Sequence, residues 1–439
     1  MPRKVFISVL GFSNYGECIY TKDNYKSSSV RFIQEATLDY LCQTENWTEK
    51  DAAYILLTKG AEEKNWVCDG HKDFTTHETI KCEGLESRLK KMNLPFGVDV
   101  IRQLPDGNNE AEIWEIFERV YQVLEDGDKL YFDLTHGFRY LPMLVMVLIN
   151  YSKFLKNTSV KSITYGNYES RNRTTNEAPI IDLLPLSSLQ DWTFAAGQFL
   201  DSGSVQRLAK LSNEKLKPVL REAKGKDEDA TNMKKFMSSL ENTVEDFQTC
   251  RGINIINSKN ISLLRITAEK IRTTFIKPLN PVLEKIKNSF EAFSETPDVK
   301  NGFSAAKWCL DNEMYQQAVT ILLENIVTFI CMKQGLDERN KTERELVNKA
   351  FNILEYNKPE CEWKFSANLA TNELLEQKQK IKELLNNQYI VRLSKEFATC
   401  TGIRNDFNHS GLVQNPSNPA RIKEGIHKCI NEVMEIIYE

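Results

Sequence analysis

Near the C-terminus runs Arg404-Asn405-Asp406-Phe407-Asn408-His409. An Arg and a His five positions apart, with Asn directly after the Arg, supply phosphate recognition and proton transfer without a metal ion. Imidazole titrates near neutrality and can move a proton, while guanidinium stays charged and steadies negative charge gathering on phosphorus. That is the chemistry of cutting a phosphodiester in RNA. On a helix, Asn405 and His409 stand four apart and share a face, as do Arg404 and Asn408. Arg404 and His409 then lie roughly 140° apart at about 100° per residue, flanking one edge where the long Arg can bend toward a phosphate. Asn405 is either a group that orients the imidazole or the phosphate, or a helix-surface amide. The spacing alone is not specific, since Arg-x4-His recurs by chance and a single His near a helix end is usually structural.

A second set of polar side chains follows apolar, strand-like runs in the first half. Gly11-Phe12-Ser13-Asn14-Tyr15-Gly16 follows VFISVL, Thr58-Lys59-Gly60 follows AYILL, and Pro105-Asp106-Gly107-Asn108 follows Val98–Arg102. Asp133-Leu134-Thr135-His136-Gly137-Phe138-Arg139 ends the run KLYFDL. Helices are expected after these loops, so free N–H groups at their starts would face an anion lodged there. Hydroxyls, Lys59 and Arg139 suit phosphates, and Asn14, Asn108 and Tyr15 suit a base or ribose. Asp133 reads as a strand-end carboxylate capping the next helix rather than a ligand contact. His136 and Arg139, polar between an apolar strand and an apolar helix, read as ligand residues. Gly11 and Gly16 either shape a turn or let a ligand approach. There is no Gly-x-Gly-x-x-Gly after the first strand and no Gly-x-x-x-x-Gly-Lys-Ser/Thr, so dinucleotide oxidoreduction and nucleotide hydrolysis lack their usual motifs.

The elements that must position these groups change character along the chain. Up to about residue 185, strands at Val5–Leu10, Ala53–Thr58, Val98–Arg102, Lys129–Leu134 and Val160–Tyr165 alternate with helices around Val30–Cys42, Ile113–Leu124 and Leu141–Phe154. This pattern predicts a mainly parallel, Rossmann-like doubly wound sheet, whose ligands bind at the carboxyl ends of its strands. From about Thr193 the apolar residues recur at three and four positions, as in Ala306, Leu310, Met314, Ala318, Ile321 and Leu322, or Ile422, Ile426, Ile430, Val433 and Ile437. That half is expected to be helical, with the last helix starting just after Pro416 and Pro419 and with breaks at Glu222–Asn232 and Glu295–Gly302.

The 439 residues suggest two to three domains, and the net charge of −4 announces no basic field for avid nucleic-acid binding. No run reaches the roughly 18 apolar residues of a spanning helix, and Leu141–Tyr151 reads as a buried one. Met1-Pro2-Arg3-Lys4-Val5 carries no leader-like core, so a soluble, cytoplasmic chain is expected. Ten scattered cysteines without a Cys-x-x-Cys pair point to reduced, mostly buried thiols. Cys68, His71, His77 and Cys82 are capable of holding zinc, but their spacing is unfamiliar and the segment reads as a polar surface insertion with incidental ligands. No metal site is expected otherwise.

The segments Val30-x-Phe-Ile-Gln-Glu-Ala36, Leu104-Pro-Asp-Gly-Asn108, Glu112-Ile-Trp-Glu-Ile-Phe117 and Phe132-Asp-Leu-Thr-His-Gly-Phe-Arg139 resemble the CARF domains of CRISPR-associated accessory proteins. Tyr165-Gly166 and Asp191-Trp192 fit the same group. Arg404 to His409 resembles the Arg-x4-His motif of HEPN ribonuclease domains, and CARF followed by HEPN is the order of type III CRISPR ancillary ribonucleases. The resemblance implies a sensing domain over residues 1–190, a helical linker over 191–300 and a ribonuclease domain over 301–439. It implies a homodimer, or a higher homo-oligomer, whose CARF domains bind cyclic oligoadenylate, with four adenylates rather than six. The ligand residues would be Gly11, Ser13, Asn14, Tyr15, Thr58, Lys59, Gly107, Asn108, Thr135, His136, Gly137 and Arg139. Arg404, Asn405 and His409 from both subunits would cut single-stranded RNA without cofactor or metal, through attack of its own 2′-hydroxyl. Neither DNA nor membrane is implied as a partner. Two other functions stay open: a nucleotide-sensing regulator that cuts nothing, and a CARF domain that also opens its cyclic ligand through Thr58, Lys59, Thr135 and His136.

Overall fold

The computed structural model describes residues 2–67, 71–72, 75–78, 82–137, 139–271, 279–366, 369–412 and 414–439. The chain divides into two compact units, Met1–Ser188 and Leu189–Glu439.

The first unit is built on one eight-stranded sheet: β1 (Lys4–Leu10), β2 (Cys18–Lys22), β3 (Tyr25–Val30), β4 (Ala52–Thr58), β5 (Gly97–Leu104), β6 (Lys129–Asp133), β7 (Ser159–Gly166) and β8 (Glu177–Asp182), in the order β3-β2-β8-β7-β6-β1-β4-β5. The five strands expected from sequence form its parallel core, β7-β6-β1-β4-β5. Period-two alternation sorts their side chains into two layers. Val5, Ile7 and Val9 of β1 pack with Leu144, Leu148 and Ile149 of helix Leu141–Leu155 and with Ile116, Phe117 and Val120 of helix Glu110–Gln122. Phe6 and Leu10 point the other way, to Leu38 and Leu41 of helix Ile33–Thr44 and to Leu85 and Leu89. Covered on both faces, β1 and β6 are apolar almost throughout, as inner parallel strands must be. The fold is α/β, Rossmann-like and doubly wound, followed by an all-helical part.

The sheet is more mixed than its sequence pattern predicts. Where a loop and then a helix from Val30 are expected, the chain makes the antiparallel hairpin β2–β3, and helix Ile33–Thr44 starts only after Phe32. β8 then runs antiparallel to β7 and parallel to β2, joining the hairpin to the sheet.

In the second unit, helices from Gln206 to Tyr438 enclose one apolar core that reaches from Trp192 to Ile437. Residues on either side of Glu295–Gly302, such as Phe247, Phe290, Phe293 and Trp308, share that core and stack on one another. Helix Tyr315–Lys333, with mean hydropathy 1.2, is long and apolar enough by length and composition to cross a membrane, which corrects the sequence-based expectation. Most of it is buried in the core of this unit, which accounts for its apolar character. The last helix is Pro419–Tyr438, with Pro419 inside its first turn and the Asn418 side chain accepting from Arg421 N–H at 2.9 Å.

Candidate functional site

At the carboxyl ends of β1, β6 and β7 lies a pocket of about 320 Å³. The loop after β1 supplies Ser13, Asn14, Tyr15 and Gly16, and the segment after β6 supplies Thr135 and His136. Tyr165, Gly166, Tyr168 and Glu169 come from the end of β7, Tyr20 from β2, and Arg31 from the joint between β3 and helix Ile33–Thr44.

Buried polar bonds hold these loops in place. Asp133, fully buried, accepts from Ser8 Oγ at 2.7 Å and from Thr135 Oγ1 at 2.5 Å and N–H at 3.2 Å. Burial raises the Asp133 carboxyl above its usual range, and the bonds from Thr135 and Ser8 oppose that rise. The Thr135 hydroxyl in turn accepts the Gly166 N–H at 2.7 Å, tying the loop after β6 to the end of β7. Asp133 therefore orders its own loop; helix Leu141–Leu155 starts without a side-chain cap, against expectation. On the other side, Asn65 Nδ2 donates to the carbonyls of Gly11 and Ser13, both at 2.8 Å, and Asn65 Oδ1 meets His71 Nε2 at 2.9 Å.

Tyr15 folds back over this frame and stacks on His136, with ring centroids 4.0 Å apart and planes 23° apart. Gly11 permits it, since a Cβ there would fall 2.2 Å from the Tyr15 hydroxyl. The loss of hydration lowers the His136 pKa to about 4, so its imidazole is neutral at physiological pH. Arg31 is only 7% exposed and its Nε has no partner among the described residues. Its Nη2 donates to Asn14 Oδ1 at 3.1 Å, and no carboxylate among the described residues pairs with it. The neighbouring Arg88 takes the carboxylates instead, Glu35 at 3.5 Å and Glu17 at 3.7 Å. Burial, followed by the charge of Arg88, lowers the Arg31 pKa, and the charge of Glu17 opposes that fall. A pocket walled by tyrosines around a guanidinium that pairs with no carboxylate among the described residues suits a ligand that carries both aromatic bases and phosphate.

Of the residues anticipated from sequence, Ser13, Asn14, Tyr15, Thr135 and His136 line this pocket, with Gly11 beneath Tyr15. Thr58, Lys59, Gly107, Asn108, Gly137 and Arg139 do not line it. The Thr58 hydroxyl is turned to Ala61 N–H at 3.4 Å and Lys59 is exposed; of the four side chains named for ring opening, Thr135 and His136 line the pocket and Thr58 and Lys59 do not. Gly107 packs against Tyr140, and the Asn108 N–H is bound by Glu112 at 2.8 Å. Gly137 holds φ 127°, and a Cβ there would fall 2.4 Å from Leu141 Cδ1, so the backbone itself requires glycine. Arg139 is exposed. Sequence reasoning missed Arg31, Tyr20 and Tyr168; the one available signal was a charge, Arg31, inside the apolar run Val30–Ile33.

In the second unit, helix Gln388–Asn408 carries Arg404 and Asn405 near its C-terminal end and is capped by His409, whose N–H bonds Asn405 O at 3.0 Å. Ser410 and Gly411 then turn the chain away with φ of 55° and 70°. His409 is thus the C-cap of the helix, with φ of −95° and ψ of 7°. Asn405 and His409 are exposed. Arg404 Nη1 pairs with Glu324 Oε1 at 3.0 Å, and the other oxygen of Glu324 takes Arg344 Nη2 at 2.8 Å.

Among the described residues, no three His, Cys, Asp or Glu side chains gather as a metal site requires. Of the four zinc-capable residues, Cys68 lies outside the described residues and His71 is engaged with Asn65. Cys82 is disulfide-bonded, which corrects the expectation of free thiols there and removes one thiolate ligand. The cysteines at 18, 42, 250, 309, 331, 361, 400 and 429 are free, and Cys361 is exposed.

Residues 5–169 match the family described as CRISPR system endoribonuclease Csx1, CARF domain. The CRISPR-associated protein MJ1674 of Methanocaldococcus jannaschii is 25% identical over 385 residues, 80% of this chain and 57% of that protein. The chain therefore spans little more than half the length of that relative. A solved structure of Enterococcus italicus Csm6 bound to cyclic hexa-2′-fluoro-hexa-dAMP aligns with 99% of this chain and 93% of its own, at 11% identity and a TM-score of 0.42. The family match lies over the sheet and its pocket, so the first unit is similar to the CARF domain of this CRISPR-associated family.

Proposed function

We propose that the first unit senses a cyclic oligoadenylate, of four adenylates, and that the second cuts single-stranded RNA in response, as an ancillary ribonuclease of CRISPR defence. The observation that carries the sensing half is Arg31, a buried cation that pairs with no carboxylate among the described residues, set among tyrosines at the strand ends. A phosphate supplies the missing charge, and adenine rings stack on the aromatic walls. A homodimer fits the exposed apolar stripe of helix Leu141–Leu155, where Met143 is 71% and Phe154 84% exposed and Val147 and Tyr151 lie between them.

In the cutting half, the 2′-hydroxyl of the RNA attacks the adjacent phosphorus and the bond to the 5′-oxygen breaks. His409, exposed at the helix end, moves a proton between these oxygens. Arg404 steadies the charge on the non-bridging oxygens once it leaves Glu324 for the phosphate. Asn405, one turn before His409, orients the imidazole or the phosphate. This chemistry requires no metal, so products carry 2′,3′-cyclic phosphate or its hydrolysis product. End-group analysis of RNA cut in excess chelator tests it: 5′-phosphate products, or strict dependence on magnesium, contradict the mechanism.

A further inference from the structure

The second unit holds a cavity of about 590 Å³ that neither half of this function uses. Its size falls within the roughly 300–1,000 Å³ of small-molecule sites. The walls are aliphatic, with Ile253, Ile256, Val299, Ile321 and Met332 facing it. Ile253 and Met332 are 49% and 50% exposed, in a unit that buries most of its large apolar side chains. Asn325 also lines it, pressed so closely on Gly302 that a Cβ there would fall 2.1 Å from Asn325 Oδ1. Asn325 Nδ2 donates to Val299 O at 2.9 Å, while Oδ1 receives no hydrogen bond among the described residues.

Charge sits beside this apolar space. Arg339, Arg344 and Glu324 line the cavity, as do Glu338 and Asp298, whose carboxylate is engaged by the Lys300 N–H at 2.8 Å. Glu324 joins the cavity to the motif that cuts, since its two oxygens hold Arg344 and Arg404. An aliphatic slot of this size with Arg339 beside it can hold one base and meet its phosphate, while Arg344 is held by Glu324, Thr328 Oγ1 and Glu338 O. We propose that this cavity seats one unpaired nucleobase of the RNA substrate, with an adjacent phosphate delivered to Arg404. The aliphatic side chains cover the faces of the base, and Asn325 Oδ1 accepts from an N–H on its edge. The proposal rests on the ribonuclease function assigned to Arg404 and His409, and it adds to it a site that sets where the strand is cut.

Fluorescence anisotropy with short single-stranded RNAs, each carrying one abasic site at a successive position, tests the seat without cleavage. The wild type is expected to lose on the order of tenfold in affinity at one position and little elsewhere. Met332→Trp, which fills the cavity from an exposed wall, should bind intact RNA correspondingly more weakly and ignore the abasic site. Ile253→Trp serves the same purpose if circular dichroism shows the first variant to be misfolded. No position-dependent loss in the wild type, or the same loss in a folded filled variant, overturns the proposal. Cleavage of the same RNAs separates the two ideas. If nothing is cut but the binding pattern holds, the ribonuclease function falls and the seat stands; if RNA is cut while binding is blind to the abasic site, the seat falls alone.

Discussion

Replacing Arg31 with Met should move ligand binding and protein stability in opposite directions. In the free protein the guanidinium is 7% exposed, has one bond to a neutral acceptor, Asn14 Oδ1, and lies 5.5 Å from the Phe32 ring. A hydrogen bond from a charged donor contributes about 1.5–3 kcal/mol and an aromatic contact about 0.5–1 kcal/mol. Burying a charge without an ionic partner costs several kcal/mol, which offsets both. An unbranched apolar side chain of similar length should therefore leave the ligand-free protein as stable as before, or raise its Tm by about 2–4 °C per kcal/mol gained. With a phosphate in the pocket the sign reverses. Losing one charge-assisted bond of about 1.5–3 kcal/mol weakens binding about 10- to 150-fold. Isothermal titration with cyclic tetra-adenylate reads the affinity, and differential scanning fluorimetry without ligand reads the stability. Arg31→Lys should fall between, keeping the charge but not the planar fork. If Arg31→Met binds as tightly as wild type, or melts well below it, Arg31 is a structural residue and the pocket is misassigned.

Four further outcomes are expected. His136 is held neutral with its pKa lowered to about 4, so its contribution to stability is complete above about pH 6.5 and is lost as pH falls toward 4. Melting scans across that range should show a smaller acid loss for His136→Phe, which keeps the stack on Tyr15 and cannot take a proton. His409→Ala and Arg404→Ala should each lower RNA cleavage by about a hundredfold or more, while calorimetry finds ligand affinity unchanged. Phe154→Asp with Met143→Asp, at the most exposed apolar positions of helix Leu141–Leu155, should give a monomer in sedimentation without a change in circular dichroism. Arg139→Ala should keep the wild-type activation curve, because that side chain is exposed and outside the pocket.

The elements that could be read from the sequence are those whose apolar pattern is decided locally. The inner strands β1, β4 and β6 are dense in Val, Ile, Leu and aromatics because both of their faces are covered, whereas edge strand β5 is half exposed. Helix Leu141–Leu155 follows its apolar run, but Met143, Val147, Tyr151 and Phe154 are exposed, so it is not the buried helix expected. The hairpin β2–β3 was not legible: CIYTK and YKSSSV are short, polar and partly exposed, and only pairing with β8 shows them to be strands. That misreading hid Arg31, which the hairpin brings back to the strand ends beside Asn14. Residues of the loops after β1 and β6 do meet in the pocket, as expected for neighbouring strands at one edge of a parallel sheet. Gly107 and Asn108 follow β5, at the far edge of the sheet, and are taken up by Tyr140 and Glu112. The link from Arg404 to Glu324 joins two helices 80 positions apart, and no local pattern encodes it.

The central claim is that a ligand held in the first unit controls RNA cutting in the second. The initial rate of cleavage of a fluorescent single-stranded RNA, followed in excess chelator as cyclic tetra-adenylate is titrated, tests it most directly. The rate should rise and saturate with the midpoint found by calorimetry, because a ligand favours the active arrangement only through its difference in affinity for the two states. In Arg31→Met the same curve should shift to higher ligand by the factor lost in binding, with its plateau kept. A cleavage rate that does not respond to the cyclic ligand, or a midpoint that Arg31→Met leaves in place, contradicts the account.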